Sequence, residues 1–229
     1  MEPRFNFLLG VPAGEATSSH CKHVCSPLIP QSADSLIDRL DLEEIFGRNA
    51  PLHVDLGCGD GSFICTLAQR MPEKNFLGIE RLLGRIRSAA RKAAGIPNVR
   101  LLRMESSYAV RYLLPAGSVE EFYLLFPDPW PKRRHWERRI VTGDFLCAIK
   151  QALVGNGTLR IATDHPDYLE KIQETARANP HFAVIEPADA DPFDLCSGQV
   201  LPLTKFERKF RAEGAPIHWL ELRKVSPVR

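Results

Sequence analysis

Short apolar runs alternate with amphipathic segments along most of this chain. The apolar runs have the length of buried strands, and the segments between them repeat apolar residues at helical spacing. We predict strands at Leu52–Leu56, Phe76–Ile79, Val99–Leu102, Phe122–Phe126 and Thr158–Ala162. The predicted helices span residues 62–71, 82–94, 137–153 and 166–178. Because strands and helices alternate, the pattern favours an α/β fold with a mostly parallel sheet and helices on both faces.

Both ends of the chain depart from this alternation. Residues 1–30 are rich in Gly, Pro, Ser and Thr without a period, so we interpret them as an N-terminal extension and residues 31–229 as one domain. A first helix is expected within residues 32–46. In the tail, Phe182–Ile185 and Ile217–Leu222 have the pattern of strands without an obvious helix between them. We therefore expect an antiparallel pairing near one edge of the sheet.

The composition is that of an ordinary globular protein, with 44% hydrophobic and 25% charged residues. No apolar run reaches the length of a membrane span, and Met1–Gly10 lacks the long apolar core of a signal peptide. We therefore expect a cytoplasmic protein with no membrane contact. The six cysteines fall mostly in apolar segments, where reduced thiols are common, so we expect no disulfides.

The positions of the cations are more informative than the net charge of +2. Five cations fall within Lys132–Arg139, and four more fall within Lys205–Arg211. Clusters of this kind can bind nucleic-acid phosphates, although charge runs are often only solvated faces. A group at His20, Cys21, His23 and Cys25 lacks a second pair of metal ligands, and we expect no metal site.

A glycine-rich loop follows the first predicted strand. It comprises Gly57, Gly59 and Gly61 after Asp55, and it opens directly into a helix. Glycines let the backbone approach a ligand closely at the carboxyl edge of an open α/β sheet. The second strand ends at Glu80, which is about twenty residues further on and is placed to accept hydrogen bonds from both hydroxyls of a ribose. The loop alone is also compatible with a structural turn, but Glu80 strengthens the case for a nucleoside cofactor.

The spacing of the loop helps to choose the cofactor. Dinucleotide-binding folds use G-x-G-x-x-G, whereas this loop reads G-x-G-x-G and carries Asp60, which would repel a pyrophosphate. A nicotinamide-dependent oxidoreductase is therefore the less favoured alternative. The sulfonium and ammonium groups of S-adenosylmethionine would instead be attracted by Asp55 and by Asp60. Glu105, after the third strand, is placed to reach the exocyclic amine of the adenine.

The fourth strand ends in an unusual motif. It reads Phe126-Pro-Asp-Pro-Trp-Pro-Lys132, and Arg133, Arg134, Arg138 and Arg139 follow it. Two prolines flank Asp128, and because proline fixes φ, they hold this carboxylate on a rigid turn beside the cofactor. Trp130 and Trp136 are candidates for stacking on a base, and the arginines are candidates for binding phosphates.

These motifs resemble the tRNA (guanine-7-)-methyltransferase family of the bacterial single-subunit type. The resemblance covers about residues 50–224, and its most specific parts are the proline–tryptophan motif and the late Thr204-Lys-Phe-Glu207 sequence. It implies a Rossmann-like class I methyltransferase fold with a seven-stranded, mostly parallel sheet. It also implies S-adenosylmethionine as cofactor and tRNA as substrate, methylated at the 7-nitrogen of guanine 46 in the variable loop.

The resemblance also assigns roles to individual residues. Asp128 matches the proposed catalytic residue and also belongs to the cofactor set. The other matches to the cofactor site are Asp55, Gly57, Gly59, Glu80 and Glu105. The matches to the substrate site are Lys132, Asp164, Thr204, Lys205, Phe206 and Glu207. The chain departs from the family at Asp55, where Glu is frequent, and at Glu105, where Asp or Asn is usual. No metal and no obligate protein partner are implied, and the protein is expected to be a monomer or a homodimer.

The chemistry of the 7-nitrogen fits this set of residues. The nitrogen carries a lone pair and no proton, so no general base is needed, and a fixed carboxylate such as Asp128 or Asp164 can stabilise the charge that arrives on the purine. Two further alternatives remain. One is a methyltransferase for another RNA or a small molecule, against which the basic residues after Lys132 favour RNA. The other is a non-catalytic RNA-binding subunit, which the intact set of Asp55, Glu80 and Asp128 disfavours.

Overall fold

The computed structural model of the chain describes residues 39–185 and 201–225. Seven strands in these residues form one sheet: β1 (Leu52–Leu56), β2 (Asn75–Ile79), β3 (Val99–Leu102), β4 (Val119–Leu125), β5 (Leu153–Thr163), β6 (Phe182–Ile185) and β7 (His218–Lys224). Their order across the sheet is β3-β2-β1-β4-β5-β7-β6. The predicted mostly parallel, seven-stranded sheet is confirmed.

The strand order creates a crevice at the centre of the sheet. Strands β1 to β5 run parallel, and the chain moves from β1 outward to β2 and β3 before it returns to β4 on the other side of β1. Open α/β sheets bind ligands at such a switch point, outside the carboxyl ends of the strands. Strand β7 runs antiparallel between β5 and the edge strand β6, which confirms the predicted antiparallel pairing of the tail.

Helices cover both faces of the sheet, as predicted. The described helices are α1 (Leu42–Phe46), α2 (Ser62–Arg70), α3 (Leu83–Ala93), α4 (Ser106–Tyr108), α5 (Gly143–Ala152), α6 (Pro166–Arg177) and α7 (Lys205–Ala212). A π-helical turn, Ala109–Leu113, continues α4, and a 3-10 helix spans Arg133–Arg138. Successive residues of β2 point to opposite faces: Phe76 belongs to the core cluster that includes residues of α2 and α3, and Leu77 belongs to the cluster on the other face, which includes residues of α5 and α6.

Two predictions about helices are wrong. The segment predicted as one helix over residues 137–153 is divided, because the chain is extended at Arg139 and Thr142 then caps α5 by accepting a hydrogen bond from the amide of Phe145. In the tail, α7 lies between the last two strands, where we expected no helix. This helix has few apolar positions, and its start is fixed by a cap at Thr204.

Several sequence-based expectations fall outside the described residues. The N-terminal extension, the boundary near residue 30 and the His20–Cys25 group belong to this part of the chain. Within residues 39–185 and 201–225, every helix is too short or too polar to traverse a lipid bilayer. In the same residues, no group of three or more His, Cys, Asp or Glu side chains is arranged to hold a metal ion.

Candidate active site

The glycine loop between β1 and α2 closes tightly on the neighbouring strand. The amides of Gly57 and Cys58 both donate hydrogen bonds to the carbonyl of Ile79, at 2.8 and 2.9 Å. Gly57, Gly59 and Gly61 have φ values of 83°, 56° and 76°, a region that side chains disfavour. A Cβ atom on Gly61 would lie 2.7 Å from that of Ala89 in α3. The glycines thus shape the loop and let α2 begin in direct contact with α3.

Two buried carboxylates flank this loop. Asp55 near the end of β1 and Glu80 just after β2 are only 3% and 4% exposed. Burial, followed by the negative charge of Glu80, raises the pKa of Asp55 to about 8. One oxygen of Glu80 accepts a hydrogen bond from the amide of Leu82 at 2.8 Å, and the other lies 4.0 Å from the guanidinium of Arg85. Burial of like charges in this crevice is electrostatically unfavourable until a cation binds beside them.

These residues fit S-adenosylmethionine better than a dinucleotide. A cationic ligand next to Asp55 would offset the repulsion within the carboxylate pair, whereas a pyrophosphate would add to it. The amide of Leu82 fixes one oxygen of Glu80, which orients this carboxylate at the end of its strand. From the sequence, Asp60 is expected to attract the cationic groups of S-adenosylmethionine. In the structure, its carboxylate instead pairs with Lys92 of α3 at 2.6 Å. Although burial alone would raise it, the hydrogen bonds from Lys92 and Ser62 lower the pKa of Asp60 to about 2.

Glu105 lies at the end of the next strand along the chain and has a structural partner of its own. Its two carboxylate oxygens accept hydrogen bonds from the amides of Ser107 and Tyr108, at 3.0 and 2.7 Å, and so cap α4. The residue is at the same edge of the sheet as Glu80, because β2 and β3 are parallel neighbours. If Glu105 contacts the adenine, its carboxylate does so while it also caps α4. The contact with the adenine stays a prediction.

The motif after β4 contains two strained residues. Phe126 and Trp130 have φ values of 55° and 43°, although neither is a glycine. Such conformations cost on the order of 1–3 kcal/mol each and are held in place by the surrounding structure. The amide of Phe126 donates a hydrogen bond to the carbonyl of Ala162 in β5 at 2.8 Å. Asp128 lies between these residues and is exposed at the mouth of the crevice.

Arg139 anchors this motif from behind. Its Nε donates a hydrogen bond to the carbonyl of Pro129 at 2.8 Å. Its guanidinium carbon lies 4.8 Å from the ring centre of Trp136 and 4.7 Å from that of Tyr168. Only 6% of the residue is exposed. The expectation that Arg139 contacts phosphates is therefore wrong, since its guanidinium is used inside the protein.

The rest of the basic cluster remains at the surface. Its exposed members are Lys132, Arg133, Arg134 and Arg138. The guanidinium of Arg138 lies over Trp130 at 5.1 Å from the ring centre, and that of Arg133 lies 5.8 Å from Trp136. The indole of Trp136 is 44% exposed. Cations and flat rings therefore share one solvent-facing surface next to Asp128.

The Thr204–Glu207 sequence performs a capping role and also presents two exposed side chains. Thr204 accepts a hydrogen bond from the amide of Glu207 at 2.9 Å, and buried Glu207 accepts two from the guanidinium of Arg211, at 3.0 and 2.7 Å. Lys205 and Phe206, between them, are exposed. The four predicted substrate residues thus divide into a buried pair that fixes the start of α7 and an exposed pair that is available to a ligand.

An aromatic cluster joins this sequence to the proline motif. The ring of Phe126 lies 6.3 Å from Phe206, 5.4 Å from Phe210 and 6.3 Å from Trp219, measured between ring centres. Asp164 follows β5 beside this cluster and is half-buried. Because Leu125 pairs with Ala162 in the sheet, Asp164 and Asp128 leave neighbouring strands at the same edge. The structure therefore brings the predicted cofactor and substrate residues to one edge of the sheet.

Two residues that matter for this arrangement were missed in the sequence. From the sequence, Phe126 is identified as the end of a strand and the start of the proline motif but is given no role of its own, because its positive φ and its central place in the aromatic cluster depend on tertiary contacts. Arg139 was grouped with the exposed cations. The apolar Ile140 and Val141 that follow it were the available signal that the chain enters the core at this point.

Comparison with known proteins places these features in a family. A family model described as a putative methyltransferase matches residues 49–220, which include all of the predicted site residues. A tRNA (guanine-N(7)-)-methyltransferase of Leifsonia xyli subsp. xyli is 39% identical over 187 residues, covering 80% of this chain and 81% of the relative. The chain belongs to the tRNA (guanine-N(7)-)-methyltransferase family.

Further members of the family match at similar levels. The protein of the same description from Thermotoga maritima is 37% identical over 189 residues, which cover 82% of this chain and 58% of the relative. The chain thus spans less than two thirds of the length of this relative. The protein of that description from Cutibacterium acnes is 36% identical over 191 residues, covering 82% of this chain and 68% of the relative.

Solved structures of low sequence identity share the fold of this family member. The 16S rRNA methyltransferase KamB has a TM-score of 0.56 at 17% identity, covering 82% of this chain and 95% of that chain. The antibiotic-resistance methyltransferase Kmr has a TM-score of 0.54 at 18% identity, covering 82% of this chain and 93% of that chain. These likenesses establish the class I methyltransferase fold.

Proposed function

We propose that this protein transfers a methyl group from S-adenosylmethionine to the 7-nitrogen of guanine in tRNA. Family membership supports this proposal, and one structural observation carries it. The buried carboxylates Asp55 and Glu80 and the rigidly held Asp128 all lie where β1, β2 and β4 end at the switch point of the sheet. Such an edge is where this class of sheet brings a cofactor and a substrate together.

The cofactor side of the site is formed by the ends of β1 and β2. When bound, S-adenosylmethionine supplies an electrophilic methyl group on a cationic sulfur. Gly57 and Gly59 leave room for it against the backbone, and Glu80 accepts hydrogen bonds from the ribose hydroxyls. Asp55 provides the negative charge that favours a cation. Glu105 is proposed to orient the adenine from the end of β3.

The substrate side is formed by the ends of β4 and β5 and the start of α7. Asp128 and Asp164 are proposed to accept hydrogen bonds from the N–H edge of guanine and to stabilise the positive charge that arrives on the purine. Adenine lacks this arrangement of donors, so the same carboxylates select guanine. Lys132 and Lys205 are proposed to bind flanking phosphates, and Phe206 is proposed to pack against a base.

The protein accelerates this reaction mainly by alignment. The 7-nitrogen needs no deprotonation, so the residues must hold it in line with the methyl carbon and the sulfur. The strained turn at Phe126 and Trp130 and its anchor at Arg139 provide the necessary rigidity. We further propose guanine 46 of the variable loop as the target, on the basis of the family resemblance. The protein is proposed to act in the cytoplasm, as a monomer or a homodimer without an obligate partner.

A direct assay tests this function. The full-length protein is incubated with S-adenosylmethionine carrying a labelled methyl group and with unmodified tRNA, and the nucleosides are then separated. Label in 7-methylguanosine is the expected result. Label in another nucleoside, or only in a small-molecule acceptor, would overturn the assignment of the substrate. A tRNA in which guanine 46 is replaced by adenine tests the position, since it should accept no label if this guanine is the target.

A further inference from the structure

Cations are distributed unevenly in the part of the chain that follows Glu80. Residues 81–104 contain seven of the chain's 30 lysines and arginines and none of its 28 acidic residues. The seven are Arg81, Arg85, Arg87, Arg91, Lys92, Arg100 and Arg103. The whole chain has a net charge of only +2, so this segment carries far more than its share of positive charge.

Four of these cations have roles within the protein. Arg85 pairs with Glu80, and Lys92 pairs with Asp60. Arg100 donates hydrogen bonds to backbone carbonyls, and Arg103 also has an intramolecular interaction. These contacts hold the glycine loop and the edge of the sheet in place. The other three cations of the segment are Arg81, Arg87 and Arg91.

Arg81, Arg87 and Arg91 are exposed, and no described acidic side chain pairs with any of them. The inner face of α3 is buried through Ile86, Ala89 and Ala93, so Arg87 and Arg91 lie on its outer side, and Arg81 lies two residues before the helix begins. Arg87 and Arg91 are four residues apart, which places them next to each other, about 6 Å apart along the helix axis. Like charges at this spacing repel each other unless a polyanion lies against them.

The same side of the molecule borders the candidate active site. Helix α3 begins four residues after β2 ends, at the edge of the sheet where Glu80 lies. The large apolar side chains that are exposed among the described residues belong to segments bordering this edge: Leu82, Leu83, Tyr108, Tyr112, Trp136, Leu203 and Phe206. Concentrated exposed apolar groups mark binding surfaces, so this edge and its margins have the character of a docking face.

We propose that the exposed surface formed by Arg81, just before α3, and by Arg87 and Arg91 on the outer face of α3 is a second contact surface for the phosphate backbone of the tRNA. This inference rests on the proposed function, because it assumes that tRNA is the substrate. The guanidinium group matches the geometry of phosphate oxygens, and three arginines with no acidic partner among residues 39–185 and 201–225 together suit a polyanion better than a single small anion. Strand β2 is two positions from β4, or about 10 Å, so one RNA can contact both α3 and the cluster after Lys132.

Charge removal on α3 tests this surface. The double variant Arg87→Gln/Arg91→Gln removes two cations that the candidate active site does not use. A control, Lys150→Gln/Lys171→Gln, removes two cations from α5 and α6, whose buried residues belong to the core cluster on the opposite face of the sheet. Lys171 differs from the α3 arginines in that it pairs with Glu174. The measurement is the affinity of the full-length proteins for unmodified tRNA at several salt concentrations, with calorimetry of S-adenosylmethionine binding as a check on the fold.

The α3 variant should bind tRNA about tenfold more weakly at low salt, and its log-log salt slope should be shallower by about one unit for each lost contact. The control should match the wild type. If the wild type binds and methylates tRNA but the α3 variant keeps the same slope as the control, this inference fails while the proposed function stands. If the wild type neither binds nor methylates tRNA, the proposed function itself fails. Loss of binding to phosphatidylserine vesicles with unchanged tRNA binding would assign the surface to lipid and overturn the inference.

Discussion

Arg139 donates a hydrogen bond from its Nε to the carbonyl oxygen of Pro129, the residue that follows Asp128, over a distance of 2.8 Å. The same guanidinium lies between the rings of Trp136 and Tyr168. The position of the exposed Asp128 carboxylate thus depends on a buried cation eleven residues further along the chain. Rigid placement of Asp128 comes from this anchor as well as from the flanking prolines.

Replacement of this anchor should reduce turnover more than it reduces tRNA binding. Arg139→Lys keeps the positive charge. It removes the planar guanidinium group, which stacks on Trp136 and Tyr168 and donates a hydrogen bond from Nε to Pro129. A shift of about 1 Å in Asp128 would lower the rate of methyl transfer on the order of a hundredfold. Steady-state kinetics should show a large fall in kcat and a small change in KM for tRNA. Arg138→Lys is the matched control. It should leave kcat close to the wild-type value and change KM for tRNA more than kcat.

If Arg139→Lys lowers only the thermal stability and leaves kcat unchanged in the folded protein, Arg139 is part of the core without a positioning role. A second measurement separates these cases. The affinity for S-adenosylmethionine, measured by calorimetry, should fall much less than kcat, because Asp128 is only one member of the predicted cofactor set and Arg139 contacts the motif after β4.

The buried carboxylate of Asp55 should make the free protein less stable as the pH rises. Its pKa is raised from 3.8 to about 8, so between these values the folded protein retains a proton that the unfolded chain has lost. The free energy of unfolding that this group contributes is therefore fully present below pH 3.8 and declines as the pH rises toward about 8. The free energy of unfolding of the wild type should fall relative to that of Asp55→Asn between about pH 5 and pH 8, by on the order of 1 kcal/mol or more.

Parallel pH profiles for the two proteins would contradict this account of Asp55. The same group links pH to cofactor binding, because a cation beside Asp55 favours its ionised form. Calorimetry near neutral pH, in buffers of different ionisation enthalpy, should therefore detect proton release when S-adenosylmethionine binds to the wild type. Asp55→Asn should bind S-adenosylmethionine more weakly and release fewer protons on binding.

Gly61 should tolerate no side chain, because two independent features oppose one. Its φ of +76° disfavours L-residues, and a new Cβ would lie 2.7 Å from Cβ of Ala89. Gly61→Ala should lower the free energy of unfolding by about 1–3 kcal/mol. Gly84→Ala is the control, since nothing lies within 4 Å of its added Cβ, and it should be neutral or stabilising by up to about 1 kcal/mol. Equal effects of the two substitutions in denaturant titrations would show that α2 and α3 do not pack as described.

The elements that could be predicted from the sequence are those whose pattern is local. The central strands and the helices after them carry their periodicity within a few residues, and the glycine loop is recognisable because Gly57, Gly59 and Gly61 each occupy a left-handed conformation. Asp55 and Glu80 could be placed at one edge because the ends of parallel strands meet there.

What could not be predicted depends on tertiary contacts. Helix α7 has only three apolar residues among its eight, Phe206, Phe210 and Ala212. It is held by the Thr204 cap and by the packing of Phe210 against Phe126, which is 84 residues away in the sequence. The burial of Arg139 needs Tyr168, which comes from α6. The division of the cations into exposed and buried ones follows from these contacts. The only local sign that separates Arg139 from Arg138 is the apolar pair Ile140 and Val141 that follows it.

The central claim is that a rigidly held carboxylate at position 128 stabilises the charge transferred to guanine. Asp128→Asn keeps the size and shape of the side chain but removes its charge. Single-turnover methyl transfer to unmodified tRNA, at saturating tRNA and S-adenosylmethionine, isolates the chemical step from binding. We predict that 7-methylguanosine forms at least about a hundredfold more slowly in this variant than in the wild type. A rate within about threefold of wild type, which corresponds to less than about 1 kcal/mol, would contradict the catalytic role of Asp128 and leave the proline motif with an architectural one.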